Sequence, residues 1–260
     1  MNIAINIPSD FFNICTDTIK DSLHLRLMEL DWKTFAARSE EIRKLGHEDI
    51  SLASVSHLLP SPVGNNLNEV SPPAMIKIRD YLIQNITQAS KENVSYFCID
   101  VGAEKRNKSY SEEELGENVF FFKQFIPTCQ TYSTSILLPV RLPAISTEMH
   151  GLWGNTIQIV HNVMHDSCRM QLDLHISEIE KDFDIKDFLR NCYYHISSIR
   201  FIYSTAIKEE RLKQIIAQWA EVLKWRSYKG LVVFAPTIHS SESVNEEFRK
   251  IDEIIEKYFE

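Results

Sequence analysis

SVSHLLP (54–60), CIDVG (98–102), LPVRLP (138–143) and MQLDLH (170–175) share one pattern. Each is an apolar run of strand character that ends in a polar or charged group: His57, Asp100, Arg141, and Asp173 with His175. Strands buried on both faces read as near-continuous apolar runs because water reaches neither side. Polar residues at the C-terminal ends of successive strands are the arrangement from which a closed βα barrel builds a site.

Outward from these four stretches, strand and helix signals alternate along the whole chain. Strands are expected over Asn2–Pro8, Leu23–Met28, Ile50–Leu58, Val94–Val101, Ser135–Leu142, Arg169–His175, Ile196–Tyr203 and Leu231–Ala235. Apolar residues at helical spacing predict helices over Asp10–Lys20, Met75–Lys91, Glu112–Gln130, Asn155–His165, Asp184–Cys192, Glu209–Trp225 and Val244–Phe259. A further helix starts from an N-cap at Asp31 and closes on Gly46. Eight strands alternating with eight helices predict an α/β fold, a (β/α)8 barrel forming a single domain over 1–260. An open doubly wound sheet is the rival, but it normally carries a glycine-rich first turn. With seven glycines, the chain has neither GxGxxG nor GxxxxGK[ST].

The bulk numbers agree. A chain of 260 residues suits one barrel of about 250. Apolar residues are 44% and charged residues 25%, ordinary for a globular protein. A net charge of −8 argues against a nucleic-acid groove, which needs clustered Lys and Arg. Five scattered cysteines form no CxxC pair and read as reduced thiols. There is no apolar run of membrane-spanning length and no basic-then-apolar start, so a cytoplasmic protein without membrane partner is expected. The connection 60–73, rich in Pro, Asn and Ser, is long enough to suggest a functional loop.

These residues resemble the xylose isomerase-like superfamily of TIM barrels, which holds sugar isomerases, sugar epimerases and an apurinic endonuclease branch. The resemblance rests on SVSHLLP (54–60), CIDVG (98–102), LDLH (172–175) and YKGLVVF (228–234), with His57 and Pro60 matching a His near a Pro after the third strand. Gly102 matches the Gly of the fourth strand's His-Pro-Gly, whose His is absent here. The resemblance implies a metal site of Glu, Asp, His and Glu from strands five to eight. In this chain those positions fall on Pro139, Asp173, Tyr203 and Ala235, so one of four ligands survives. It implies a sugar, sugar-acid or sugar-phosphate isomerase or epimerase with a degenerate or rearranged metal site. The alternative is a noncatalytic barrel binding a small polyol, sugar phosphate or protein partner. A metal-dependent phosphodiesterase is disfavoured by the acidic charge. The implied cofactor is a divalent cation (Mn²⁺, Mg²⁺ or Zn²⁺), with none as the alternative, and an oligomer is compatible.

The candidate residues each have two readings. Asp173 and His175 are the candidate metal ligands; at i and i+2 they face one side of a strand. Asp173 is otherwise an ion-pair partner for Arg141, and His175 a loop-bonded imidazole. His57, Asp100, Arg141 and Tyr203 are candidate substrate-binding residues. His57 and Asp100 with Asp173 and His175 would make an alternative metal set of two carboxylates and two imidazoles. Arg141 would hold a substrate carboxylate or phosphate, or compensate a neighbouring Asp. Tyr203 is a sugar platform or packing, and His239 an exposed loop residue. Phe120–Phe122 and the pair Trp219 and Trp225 are expected to pack on the barrel or on one another. Acidic 111–117 is expected to be a solvated helix start.

Overall fold

A computed structural model describes residues 1–59, 70–100, 110–142, 150–179 and 184–260. Eight parallel strands close on themselves in chain order: β1 Asn2–Asn6, β2 Leu27–Asp31, β3 Ser51–Ser56, β4 Tyr96–Cys98, β5 Ser135–Leu142, β6 Cys168–His175, β7 Ile196–Ser204 and β8 Leu231–Thr237. Ile3 of β1 pairs with Val232 of β8, which seals the barrel and leaves no sheet edge. The fold is the (β/α)8 barrel that the alternation predicted.

Among the described residues ten α-helices wrap it: α1 Phe12–Asp21, α2 Trp32–Ala37, α3 Ser39–Leu45, α4 Pro72–Ser90, α5 Glu112–Lys123, α6 Ile126–Tyr132, α7 His150–Val163, α8 Ile185–Cys192, α9 Glu209–Trp225 and α10 Glu242–Tyr258. Asp31 is the N-cap of α2, its carboxylate accepting from Thr34 N at 2.8 Å. The helix expected to run from it to Gly46 breaks at Arg38, whose backbone (φ −127°, ψ 24°) is not helical. Gly46 stays right-handed, and the left-handed residue before β3 is Asp49 (φ 60°). The helix expected over 112–130 likewise splits, with Phe125 as N-cap of α6 and a proline in its first turn. Ser111 and Glu114 form a reciprocal capping box at α5, so the acidic start is a built cap as well as a solvated face.

Two corrections concern β2 and the aromatics. β2 lies four residues later than expected at its start and three later at its end, which brings Glu29 into the strand. Phe121 and Phe122 are buried, but Phe120 is exposed; Trp219 is buried in the core, whereas Trp225 is exposed beneath the Arg226 guanidinium. All five cysteines are free and buried. Among the described residues no helix is long and apolar enough to cross a membrane.

The apolar side chains separate into two clusters, and this separation orients every strand. The large one joins strand residues such as Ile5, Leu30, Val55, Phe97, Ile199, Phe201 and Phe234 to helix residues such as Trp219, Phe248 and Ile251. The small one consists of strand residues alone, Ala4, Ala53, Leu231 and Val233, with Leu27 and Tyr96 against it. In a closed barrel a cluster made of strands alone is the inside. Period-two alternation from these anchors then assigns the inward positions: Asn6, Glu29, Gln171, Asp173, Ser198 and Arg200 among them.

Candidate functional site

The inside of this barrel is only partly apolar. Register places Arg141 of β5 beside Asp173 of β6, Asp173 beside Arg200 of β7, and Arg200 beside Val233 of β8. Laterally paired residues of parallel strands point to one side, so a guanidinium flanks Asp173 on each hand. One step nearer the mouth the sequence runs His175, Ile202 and Ala235. One step below Asp173 stand Gln171 and Ser198, again as partners. The pairing register slips just before Glu29, against β3, and just before Gln171, against β7. Irregularities of this kind re-aim side chains, and here each precedes a buried polar one.

Hydrogen bonds and one ion pair join these groups across the barrel. Arg200 Nε lies 2.9 Å from Glu29 Oε1, with Glu29 fully buried and the Arg200 side chain 12% exposed. β2 and β7 are not neighbours; β1 and β8 lie between them, so the pair spans the interior. Asn6 Nδ2 donates to the same oxygen at 3.0 Å. Gln171 Nε2 donates to Asp173 Oδ1 at 2.9 Å and reaches Cys98 Sγ at 3.5 Å. Glu29 Oε2, Gln171 Oε1, Ser54 Oγ and Ser198 Oγ are buried without a hydrogen-bond partner among the described residues. Ser54 is the lateral partner of Glu29, and Ser198 that of Gln171, so the four occur as two adjacent pairs. Buried polar atoms are normally satisfied by protein or water, so this set is polar surface with unused hydrogen-bonding capacity.

Electrostatics follow from this burial. Burial works against the Arg200 charge, and the carboxylates of Glu29 and Asp173 more than reverse it, raising its pKa. Burial pushes the Cys98 thiol well above its ordinary value, with Asp173 and Glu29 adding to the effect. The pKa of His175 is lowered, first by burial and then by Arg141, which favours the neutral imidazole.

The residues singled out in the sequence divide between mouth and interior. His57 follows β3 in a left-handed conformation (φ 54°) and is exposed. Asp100 follows β4 and is half-buried. Arg141 grips both oxygens of Glu178 at 2.7 and 2.9 Å, so its ion-pair partner is Glu178. Tyr203 is corrected: it belongs to the helix-facing cluster, is 2% exposed, and feels Glu247 of α10. Alternation turns it away from the mouth, and Ile202 is the inward residue there. His239 is exposed beyond β8. Pro60, Gly102 and positions 60–69 of the long loop lie outside the described residues.

Among the described residues no three His, Cys, Asp or Glu side chains gather as a metal site, so His57, Asp100, Asp173 and His175 do not assemble into one. On the inner face from β5 to β8, the two levels around Asp173 offer Asp173 and His175 as donors, interrupted by Arg141, Arg200, Ile202, Val233 and Ala235. Guanidinium and alkyl groups ligate no cation.

Glu29, Arg200 and Gln171 were not picked out from the sequence. A signal existed: each is a polar residue inside an otherwise apolar strand, LMELD, SSIRFIYS and CRMQLDLH. Reading only strand ends passed over them.

No family model matches the chain, and no curated protein matches it significantly in sequence. Solved structures match over its whole length. An L-ribulose 3-epimerase gives a TM-score of 0.72 at 10% identity, covering 100% of this chain and 96% of that one. D-psicose 3-epimerase from Clostridium cellulolyticum H10, solved with D-tagatose, gives 0.68 at 14% identity, covering 100% and 97%. An AP endonuclease of family 2 from Brucella melitensis gives 0.63 at 12% identity, covering 93% and 95%. The chain therefore shares the (β/α)8 barrel fold of these solved structures. Epimerases and an endonuclease share it, so fold does not choose an activity.

Proposed function

We propose that the chain is a sugar isomerase- or epimerase-like barrel that takes a small sugar or sugar derivative at the C-terminal end of its strands, with the family's metal site rearranged. The observation that carries this reading is the mixed set of donors and acceptors inside the barrel: Glu29, Arg200, Asp173 and Gln171, with buried oxygens still unpartnered. A polyol presents alternating donors and acceptors and is recognised by such a set, whereas an apolar ligand would leave it unsatisfied. Asp173 and neutral His175 stand one step apart on one face of β6, a carboxylate and a base at the mouth. Arg141, His57 and Asp100 supply the rim contacts in this reading. The solved structures of D-psicose 3-epimerase with D-tagatose and of D-allulose 3-epimerase with D-allulose make ketohexoses the first class to try.

A second reading, binding without turnover, is favoured by Ile202, Val233 and Ala235, which put no acid or base on β7 and β8 at these levels. One experiment separates the two. D-Allulose, D-tagatose and D-fructose are titrated by calorimetry, then incubated with protein in D₂O and examined by NMR. Binding that Asp173→Asn weakens at least tenfold is expected, and carbon-bound deuterium appears if a proton is abstracted. Binding without deuterium selects the noncatalytic reading; no binding by any sugar or sugar phosphate rejects both.

A further inference from the structure

We propose that Arg200 is the resident cation of this barrel, occupying the electrostatic place that a divalent metal takes in a metal-dependent site. This goes beyond the sugar reading and stands on the inner face alone. Asp173 has Arg141 on one side and Arg200 on the other, and the next inward residue round the barrel is Val233. The two guanidiniums are not equivalent. Arg141 is 40% exposed and is engaged by both oxygens of Glu178. Arg200 is nearly enclosed and faces fully buried Glu29 at 2.9 Å across the barrel. Its Nε–H lacks the alignment of a hydrogen bond, and Glu29 Oε2 has no hydrogen-bond partner among the described residues. The pair is therefore an ion pair with unused hydrogen-bonding capacity on both members.

The physical argument is one of charge in a low dielectric. A buried carboxylate persists only beside a compensating cation. Fully buried Glu29 has Arg200 as that cation, half-buried Asp173 adds to the field at the same guanidinium, and Arg200 cannot deprotonate under ordinary conditions. A divalent ion at Asp173 would be placed beside a guanidinium that water scarcely screens, so the two cations compete for the same carboxylates. Donor chemistry points the same way, because His175 is followed on its level by Ile202 and Ala235. A guanidinium in this position offers planar N–H donors to hydroxyl, carbonyl or carboxylate oxygens of a ligand, without a coordination sphere to fill.

The test is a metal titration made without sugar. Chelator-treated wild type is melted alone, with millimolar Mn²⁺ and with millimolar Mg²⁺, and retained Mn²⁺ is counted after gel filtration. No change in Tm and no retained metal are expected. A rise of about 5–10 °C, the size expected when a site is filled far above its Kd, overturns the proposal, as does stoichiometric retention. Two variants address the cause. Arg200→Lys keeps the charge and is expected to remain indifferent to Mn²⁺. Arg200→His adds a ligand beside Asp173 and is expected to bind Mn²⁺ at least tenfold more tightly than wild type. If Arg200→His and Arg200→Lys respond alike, the charge of Arg200 is not what excludes metal and the proposal falls. Should Arg200→His fail to fold, the wild-type titration decides by itself. Sugar titrations with chelator and with Mn²⁺ keep this proposal apart from the functional reading. Sugar binding that appears only with Mn²⁺ overturns the role of Arg200 and leaves the sugar reading standing. Absence of sugar binding in both conditions rejects the sugar reading, and the metal titration still judges Arg200.

Discussion

The two faces of β7 obey different rules. Outward, Ile199, Phe201 and Tyr203 lock into the helix layer, with the Phe201 ring 6.5 Å from Trp219 and 5.7 Å from Phe234. Inward, Ser198 and Arg200 enter a polar interior in which a charge is held by Glu29 from the far side of the barrel. The outward face needs only apolar volume, which many sequences supply. The inward face needs particular partners, because an unpaired charge there is costly. Packing sustains the first face and charge compensation the second.

That contrast can be broken from either side. Phe201→Ala removes a fully buried ring and is expected to cost about 3–5 kcal/mol in urea unfolding. Sugar affinity per folded molecule should be unchanged, because the ring faces away from the interior. Arg200→Met is expected to cost a similar amount, about 3–5 kcal/mol, since it strands Glu29 without its cation. The cause differs: adding Glu29→Gln should recover most of that loss, and no second substitution of this kind rescues Phe201→Ala. If the double variant is as unstable as Arg200→Met, Arg200 acts by packing and the contrast fails.

Smaller effects sharpen the picture at the mouth. The pKa of His175 is lowered in the fold by burial and by Arg141, so the unfolded chain takes up the proton first as pH falls. Its contribution is intact above the unfolded value of about 6.5 and is lost as pH drops through that value toward the folded one. Unfolding free energy measured from pH 7.5 to pH 5 should therefore fall less steeply in His175→Gln than in wild type; equal slopes would show that the imidazole is not insulated. The smallest effect belongs to Arg141 and Glu178, 40% and 41% exposed. A double-mutant cycle on that pair should return about 0–1 kcal/mol, decreasing with salt.

Much of the architecture is legible in the sequence. β5 and β6 lie where the alternation puts them, β3 and β4 stop at Ser56 and Cys98 inside the longer stretches expected there, and Asp31 caps its helix. Local chemistry explains this success: an N-cap bond or a period-two apolar run is a short-range matter. The errors were of register. β2 read as Leu23–Met28 left out Glu29, and Tyr203 was assigned to the mouth although it points outward. A slip of one residue reverses the facing of a strand, and apolar composition alone does not detect it when both faces are buried. Asp173 and His175 are legible in the sequence as groups on one face of one strand, and the inward place of Arg200 is not.

The amino-acid order is enough to specify eight strands with helical segments between them, and so a closed barrel, because each element is selected by neighbours a few residues away. It also placed charged residues inside apolar strands without revealing their partners. Glu29 with Arg200, Gln171 with Cys98 and Arg141 with Glu178 meet only once the barrel closes and the pairing register is set. Those contacts decide whether a charge is compensated, because electrostatic energy depends on distance and burial rather than on position along the chain.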